Sequence, residues 1–178
     1  MHMHRPSELG PRADRGGDPG AQDPGAVSRT MQPENGWHFP WRLFLCELSG
    51  TAVLVLVGLS LVIVMFGTGS PMAQLFPAEG LRRLITGFLF GSTGAMIALS
   101  VAGKQSGAHI NPAVTLVFWL FRKLDGRTAL VYISAQLAGG IIGSLPLLAW
   151  GQMGRSVAFG ATLPGSGCST EAALLGRS

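Results

Sequence analysis

The stretch Ser106-Gly-Ala-His-Ile-Asn-Pro-Ala-Val-Thr115 decides the fold, because long apolar segments lie on both sides of it while its own start is polar and broken by Gly and Pro. Asn111-Pro112 reads as a helix entry: Asn is a favoured N-cap, and Pro suits the first helical position, whose N–H has no intrahelical partner. The helix that follows, Ala113 to about Phe121, is apolar but short. At about 1.5 Å per residue it reaches roughly half of a ~30 Å hydrocarbon core. A half-membrane helix behind an extended polar segment reads as a re-entrant loop, tolerated at that depth where it lines a wet cavity or is buried in protein.

Working outward, the chain is 47% hydrophobic, only 12% charged and contains 26 Gly. A soluble domain carries about twice that charged fraction. The apolar residues come in blocks rather than at amphipathic spacing, so the lipid bilayer is the expected surroundings. Three spans are expected: about Trp41 to Phe66, about Leu84 to Ala102, and about Ala129 to Gly151. Trp37, Phe39 and Trp41 suit an interfacial aromatic belt. Small residues at helical spacing, Gly87 and Gly91 on the second span and Ala135, Gly139 and Gly143 on the third, let helix backbones approach closely. Pro146 is expected to kink the third span near its far end.

Basic residues near the span ends set the orientation. With the N-terminus cytoplasmic, Arg29, Arg42, Lys104, Arg122, Lys123 and Arg127 fall inside, and Arg82, Arg83 and Arg155 outside. The net charge of +4 is scattered rather than clustered, so no nucleic-acid partner is implied. Cys46 and Cys168 form neither a disulfide framework nor a metal site, and Cys46 reads as a small buried hydrophobe. His2 and His4 read as part of a solvated terminus, with Met1 and Met31 both open as the start. No cofactor and no metal are expected, since no His, Cys or carboxylate lies at ligand spacing from His109.

Asn111 is the first candidate site residue. At the head of a half-helix its amide N–H and the free helix N–H groups make a positive end at mid-membrane. Such an end orients a neutral solute by its oxygen and opposes protons and cations. Glu47, inside the first span, is costly there and is expected to be buried against a partner.

SGAHINPAVT is similar to the first Asn-Pro-Ala box of the aquaporin and glycerol-facilitator (major intrinsic protein) family. The resemblance runs from about Trp41 to Leu175, the first half of that family's fold. It implies an all-α membrane protein with three transmembrane helices plus one re-entrant half-helix, the first half of an aquaporin-like inverted repeat, truncated before a complete fourth helix. The expected division is a disordered N-terminal tail over residues 1–36, a first half-repeat over 37–151, and an extracellular loop with the start of an incomplete fourth helix over 152–178.

The resemblance also implies roles. Asn111, Pro112 and Ala113 would line a pore with Gly107, Ala108, His109 and Ile110, whose carbonyls would form an acceptor ladder for water or glycerol. His109 would stand at the cytoplasmic pore wall and also fix the loop. Phe90 would supply the second-helix side of an aromatic selectivity filter, or else be an ordinary packed or lipid-facing Phe. Glu47 would support the loop by accepting its N–H groups. Gln136 would brace the loop backbone or else satisfy itself against a neighbouring helix.

The implied function is passive transport of water or small neutral solutes such as glycerol by a half-channel, with no enzymatic activity. The alternative is a non-conducting membrane fragment that at most associates with full-length relatives. An enzyme built on His109 and Glu47 lacks a second titratable group near the hairpin. A homotetramer is implied if the full-length channel exists, in the plasma (inner) membrane.

Overall fold

The computed structural model describes residues 38–163. The expected tail over residues 1–36 and the helix start within CSTEAALLGRS lie outside the described residues. His38 falls with the N-terminal unit, and the second unit begins at Phe39.

Helix α1 runs Trp41–Phe66, the bounds expected of the first apolar run, which past Arg42 only Glu47 interrupts. It enters behind Pro40, where Phe39, Trp41 and Phe44 gather with ring centroids 4.5–6.0 Å apart. It ends at Gly67, and the Ser70 hydroxyl donates to the Val64 carbonyl, satisfying one of the acceptors that every helix end leaves over. A one-turn helix α2, Met72–Leu75, follows within the expected loop. Arg82 clamps that loop: its Nη1 donates to the Phe76 carbonyl at 2.9 Å, and its guanidinium lies 5.5 Å from the centroid of the Phe66 ring.

Helix α3, Glu79–Leu99, begins five residues ahead of the expected second span and stops three residues short of it. Glu79 and Arg83 pair one turn apart at 2.6 Å, which extends the helix beyond its apolar portion. At Ser100 the backbone turns extended, the side chain accepts from the Gly103 N–H at 3.1 Å, and a short helix α4, Val101–Ser106, begins. Gly103 is required at this bend, because a Cβ there would run into the carbonyl of Ile97 and the backbone of Ala98. Helix α5, Pro112–Leu120, is the short helix expected behind Asn111-Pro112, and α6 runs Gly126–Ser144. Beyond it the chain tightens into a 3-10 turn, Leu145–Trp150, with Pro146 near its start, then a short helix α7, Gly151–Arg155, and a 3-10 turn at Ala158–Gly160. Pro146 cannot donate an N–H and so interrupts the α-helical ladder where a kink was expected.

Packing centres on α1, which meets α6 most extensively, then α3 and α4. Gly139 and Gly143 bring α6 onto α1, since a Cβ on either would strike main-chain atoms of Leu48 or Ala52. No strand occurs among the described residues. Two stretches, Trp41–Phe66 and Gly126–Arg155, are long and apolar enough to cross a membrane. Helix α3 has 21 residues, long enough to do so, but Arg82, Arg83 and its many small residues keep it below the same apolarity. Leu84, Phe88, Met96, Leu130, Leu137 and Ile141 are large apolar residues left exposed, as lipid-facing positions would be.

Candidate functional site

The segment between α4 and α5 has an unusual backbone. Gly107 has φ +86°, Ala108 +48° and Ile110 +40°. A left-handed conformation at Ile110 is rare for a β-branched residue and persists only where its surroundings fix it. Here they do. Glu47, fully buried on α1, accepts from the His109 N–H at 3.1 Å on one carboxylate oxygen and from the Ile110 N–H at 2.7 Å on the other. Gln136 of α6 donates its Nε2 to Glu47 at 2.8 Å. A buried carboxylate is thereby given three donors, which offsets much of its desolvation.

The peptide unit is planar and trans, so its C=O points opposite to its N–H. With the N–H groups of His109 and Ile110 aimed at Glu47, the carbonyls of Ala108 and His109 point away from it. None of the carbonyls of Gly107, Ala108, His109 and Ile110 accepts a hydrogen bond from the described residues. They are four acceptors, consecutive in sequence, with no partner among the described residues.

Next in sequence stands Asn111, the N-cap of α5, with φ −154° and ψ 126°. Its side-chain oxygen accepts from the Ala113 N–H at 2.8 Å, so its NH2 group is turned outward and donates to no described residue. Asn111 and Ala113 are exposed, and Pro112 is half-buried between them. Helix α5 is nine residues long, about 13.5 Å.

His109 is buried, its ring centroid 4.5 Å from that of Phe118 and 5.2 Å from that of Tyr132. Its Nδ1 lies 3.1 Å from the Thr115 hydroxyl, which also receives Gln136 Nε2 at 2.9 Å. Gln136 therefore reaches the loop through Glu47 and Thr115, not by touching loop backbone. Ile110 seats its side chain on Gly50 of α1, where an added Cβ would come within 2.8 Å of it.

Phe90 does not join this cluster. Its ring packs against Gly58 of α1, in space that any side chain at position 58 would need. It shares a helix face with Ile97, which reaches the same Gly50 as Ile110 does. Seven residues separate the two along α3, about 10 Å toward the other end of the helix.

Three contributors carry no role in the sequence reading. Thr115 is fully buried, the Tyr132 hydroxyl donates to the Ser106 carbonyl at 2.6 Å, and the Ser106 hydroxyl accepts from the Ala108 N–H at 3.2 Å. Thr115 stands one turn past Asn111 on an otherwise apolar helix; that single polar residue is the signal that could have found it. Nothing in sequence marks Tyr132, whose partner is 26 residues away.

The family model described as major intrinsic protein matches residues 35–175. A probable aquaporin, AqpM, of Archaeoglobus fulgidus is 35% identical over 150 residues, covering 74% of this chain and 57% of that protein. Aquaporin-2 of Rhizopus delemar is 35% identical over 103 residues, covering 58% of this chain and 30% of the relative. The glycerol uptake facilitator protein of Pseudomonas aeruginosa is 35% identical over 95 residues, covering 53% of this chain and 30% of the relative. The chain thus spans between about a third and somewhat over half of the length of these curated relatives.

Proposed function

This chain belongs to the major intrinsic protein family, and on that premise we propose that it builds one wall of a transmembrane conduit for water or small neutral solutes such as glycerol. The observation that carries the reading is the Glu47 clamp, which takes the N–H side of the loop and leaves the carbonyls of Gly107 to Ile110 and the Asn111 amide as unused polar groups, consecutive in sequence. Acceptors followed by a donor at a helix N-terminus suit a solute that both gives and takes hydrogen bonds. The same N-terminus repels cations.

In this reading α1, α3 and α6 cross the membrane, residues 37–151 form one half-repeat, and Asn111 lies near the midplane with the N-terminus cytoplasmic. Phe90 narrows the conduit on the side away from the hairpin, which its place on the Ile97 face of α3 supports. The protein has no catalytic step to perform. One hairpin leaves one side open: Val117, Phe118 and Phe121 of the half-helix segment are exposed at 46%, 44% and 73%. A second half-repeat, carried in cis or supplied by another chain, would close it. Homotetramer formation, as the resemblance implies, is part of the proposal.

Osmotic permeability of liposomes tests this. The 178-residue polypeptide reconstituted by itself is expected to match empty liposomes. Co-reconstituted with a complementary second half from a relative, it is expected to raise water flux, with Asn111→Asp abolishing the rise and no accompanying Na⁺ or H⁺ conductance. An ion conductance comparable to the water flux would overturn the neutral-solute reading. A rise from the 178 residues alone, lost in Asn111→Asp, would overturn the need for a second wall. Silence in both preparations favours the non-conducting alternative.

A further inference from the structure

The hydrogen bonds around His109 run in one direction, and that direction fixes which ring nitrogen carries the proton. Glu47 is the fixed point: the backbone N–H groups of His109 and Ile110 can only donate, so both of its carboxyl oxygens accept. Its oxygen Oε2 lies 2.8 Å from Gln136, so that contact has to be the Gln136 NH2 group and not its carbonyl. The second N–H of the same NH2 group reaches Thr115 Oγ1 at 2.9 Å, and the Thr115 oxygen is thereby an acceptor.

The hydroxyl has one hydrogen left to give. Three acceptors are in range: His109 Nδ1 at 3.1 Å, the Asn111 carbonyl at 3.3 Å and Gln136 Oε1 at 3.4 Å. The Asn111 carbonyl already takes the Thr115 backbone N–H at 3.1 Å. Nδ1 is the nearest of the three and has no other donor among the described residues. The competing arrangement, with Nδ1–H donating to Thr115 and the hydroxyl turned to Asn111, relies on the longer contact.

We infer that Thr115 and Gln136 are positioning residues that hold neutral His109 as its Nε2–H tautomer, so that the free edge of the imidazole is a donor and never an acceptor. That edge has no hydrogen-bond partner among the described residues. It lies beside Gly107, where a Cβ would come within 3.8 Å of both Cδ2 and Nε2. A side chain at position 107 would cover it. The rings of Phe118 and Tyr132 hold the imidazole in place. The consequence for transport rests on the conduit reading: the edge would serve solutes with an acceptor oxygen, water and polyols, and would give nothing to a donor-only cation.

The tautomer can be read without any flux. In the ¹⁵N-histidine-labelled 178-residue chain, His109 resonances are assigned by their loss in His109→Asn and recorded at a pH where the ring is neutral. The expected spectrum shows a protonated Nε2 and a hydrogen-bonded, acceptor-type Nδ1, with the Nε2–H form in at least about tenfold excess. Thr115→Val should move Nδ1 to the position of an acceptor with no donor, while Thr115→Ser should leave it in place. Protonated Nδ1 in the wild-type chain, comparable amounts of both forms, or an unmoved Nδ1 in Thr115→Val would each overturn the inference. The wild-type spectrum alone decides if Thr115→Val fails to fold. Loss of permeability in the liposome experiment would leave this spectrum untouched, so failure of the conduit reading and failure of the tautomer are told apart.

Discussion

Gly139 and Gly143 on α6 and Gly87 and Gly91 on α3 carry the same four-residue spacing and have opposite surroundings. On α6 the pair is buried, and a Cβ at either position would collide with the main chain of α1 at Leu48 or Ala52. On α3 nothing lies within 4 Å of a Cβ placed at Gly87 or Gly91. The spacing permits close approach and does not say whether anything approaches. Glu47 makes the difference. It needs Gln136 from α6 to complete its hydrogen bonds, so α6 is drawn onto the polar face of α1. On the other side α3 meets α1 through Phe90 on Gly58 and through Ile97 at Gly50, with Gly87 and Gly91 turned elsewhere.

The largest expected effect is on the closed side. Gly143→Leu places its Cβ against the backbone of Ala52, which cannot yield as a flexible side chain would. Overpacking costs 1–3 kcal/mol in general, and with main chain as the obstacle about 3 kcal/mol or more is expected. Reversible unfolding in mixed detergent would measure it. A Gly143→Leu protein as stable as the wild type would mean that α1 and α6 are not held at this distance.

The closed side was legible in sequence only in part. The span of α1 and the half-helix at Pro112 follow from an apolar run and an Asn-Pro entry, both local signals. The need of Glu47 for a partner follows from its depth in an apolar helix. That its partners are the His109 and Ile110 N–H groups could be carried only by resemblance, because they lie 62 and 63 residues away. Gln136 allowed two readings, since a polar residue on an apolar helix shows that it needs a partner and not which one. The early start of α3 was hidden because Glu79, Arg82 and Arg83 look like loop residues, while the structure gives each a local task. Phe90 remains the residue on which sequence spacing says least: its face on α3 is settled by what Gly58 lacks.

A middle effect is expected where the closed helix begins. Asp125 is the N-cap of α6, accepting from the Arg127 and Thr128 N–H groups at 3.0 Å each. Hydrogen bonds from Thr128, side chain and backbone, hold its carboxyl below the usual carboxylate range, with that from Arg127 adding to them. A depressed carboxylate pKa stabilises the fold above the unfolded value of about 3.9, and that contribution is lost as pH falls through the folded value. Asp125→Ala is expected to cost about 1–2 kcal/mol at neutral pH, as loss of an N-cap does. The difference from wild type should shrink under acid conditions, below the unfolded value. A difference that stays constant across that range would show that the side chain is not acting as a charged cap.

The smallest effect, on the open side, is the most informative about the comparison. Gly87→Ala adds a methyl group where nothing within 4 Å opposes it. Glycine inside a helix is less favourable than alanine by roughly 0.5–1 kcal/mol, because its unfolded chain has more freedom to lose. With no steric penalty, a gain of about 0.5 kcal/mol in the isolated chain is expected, read in the same detergent unfolding as Gly143→Leu. The opposite sign is the outcome to look for. A Gly87→Ala protein destabilised by 1 kcal/mol or more, roughly the onset of overpacking, would mean that the α3 face is covered in the folded protein. Repeating the measurement across a range of protein-to-detergent ratios separates the sources of such a loss. Cover by another chain makes the loss grow with concentration, by mass action. Cover from within the same chain leaves it constant. If the gain appears at every concentration, α3 carries a small-residue face that the chain itself leaves open, and burial rather than spacing distinguishes the two glycine pairs.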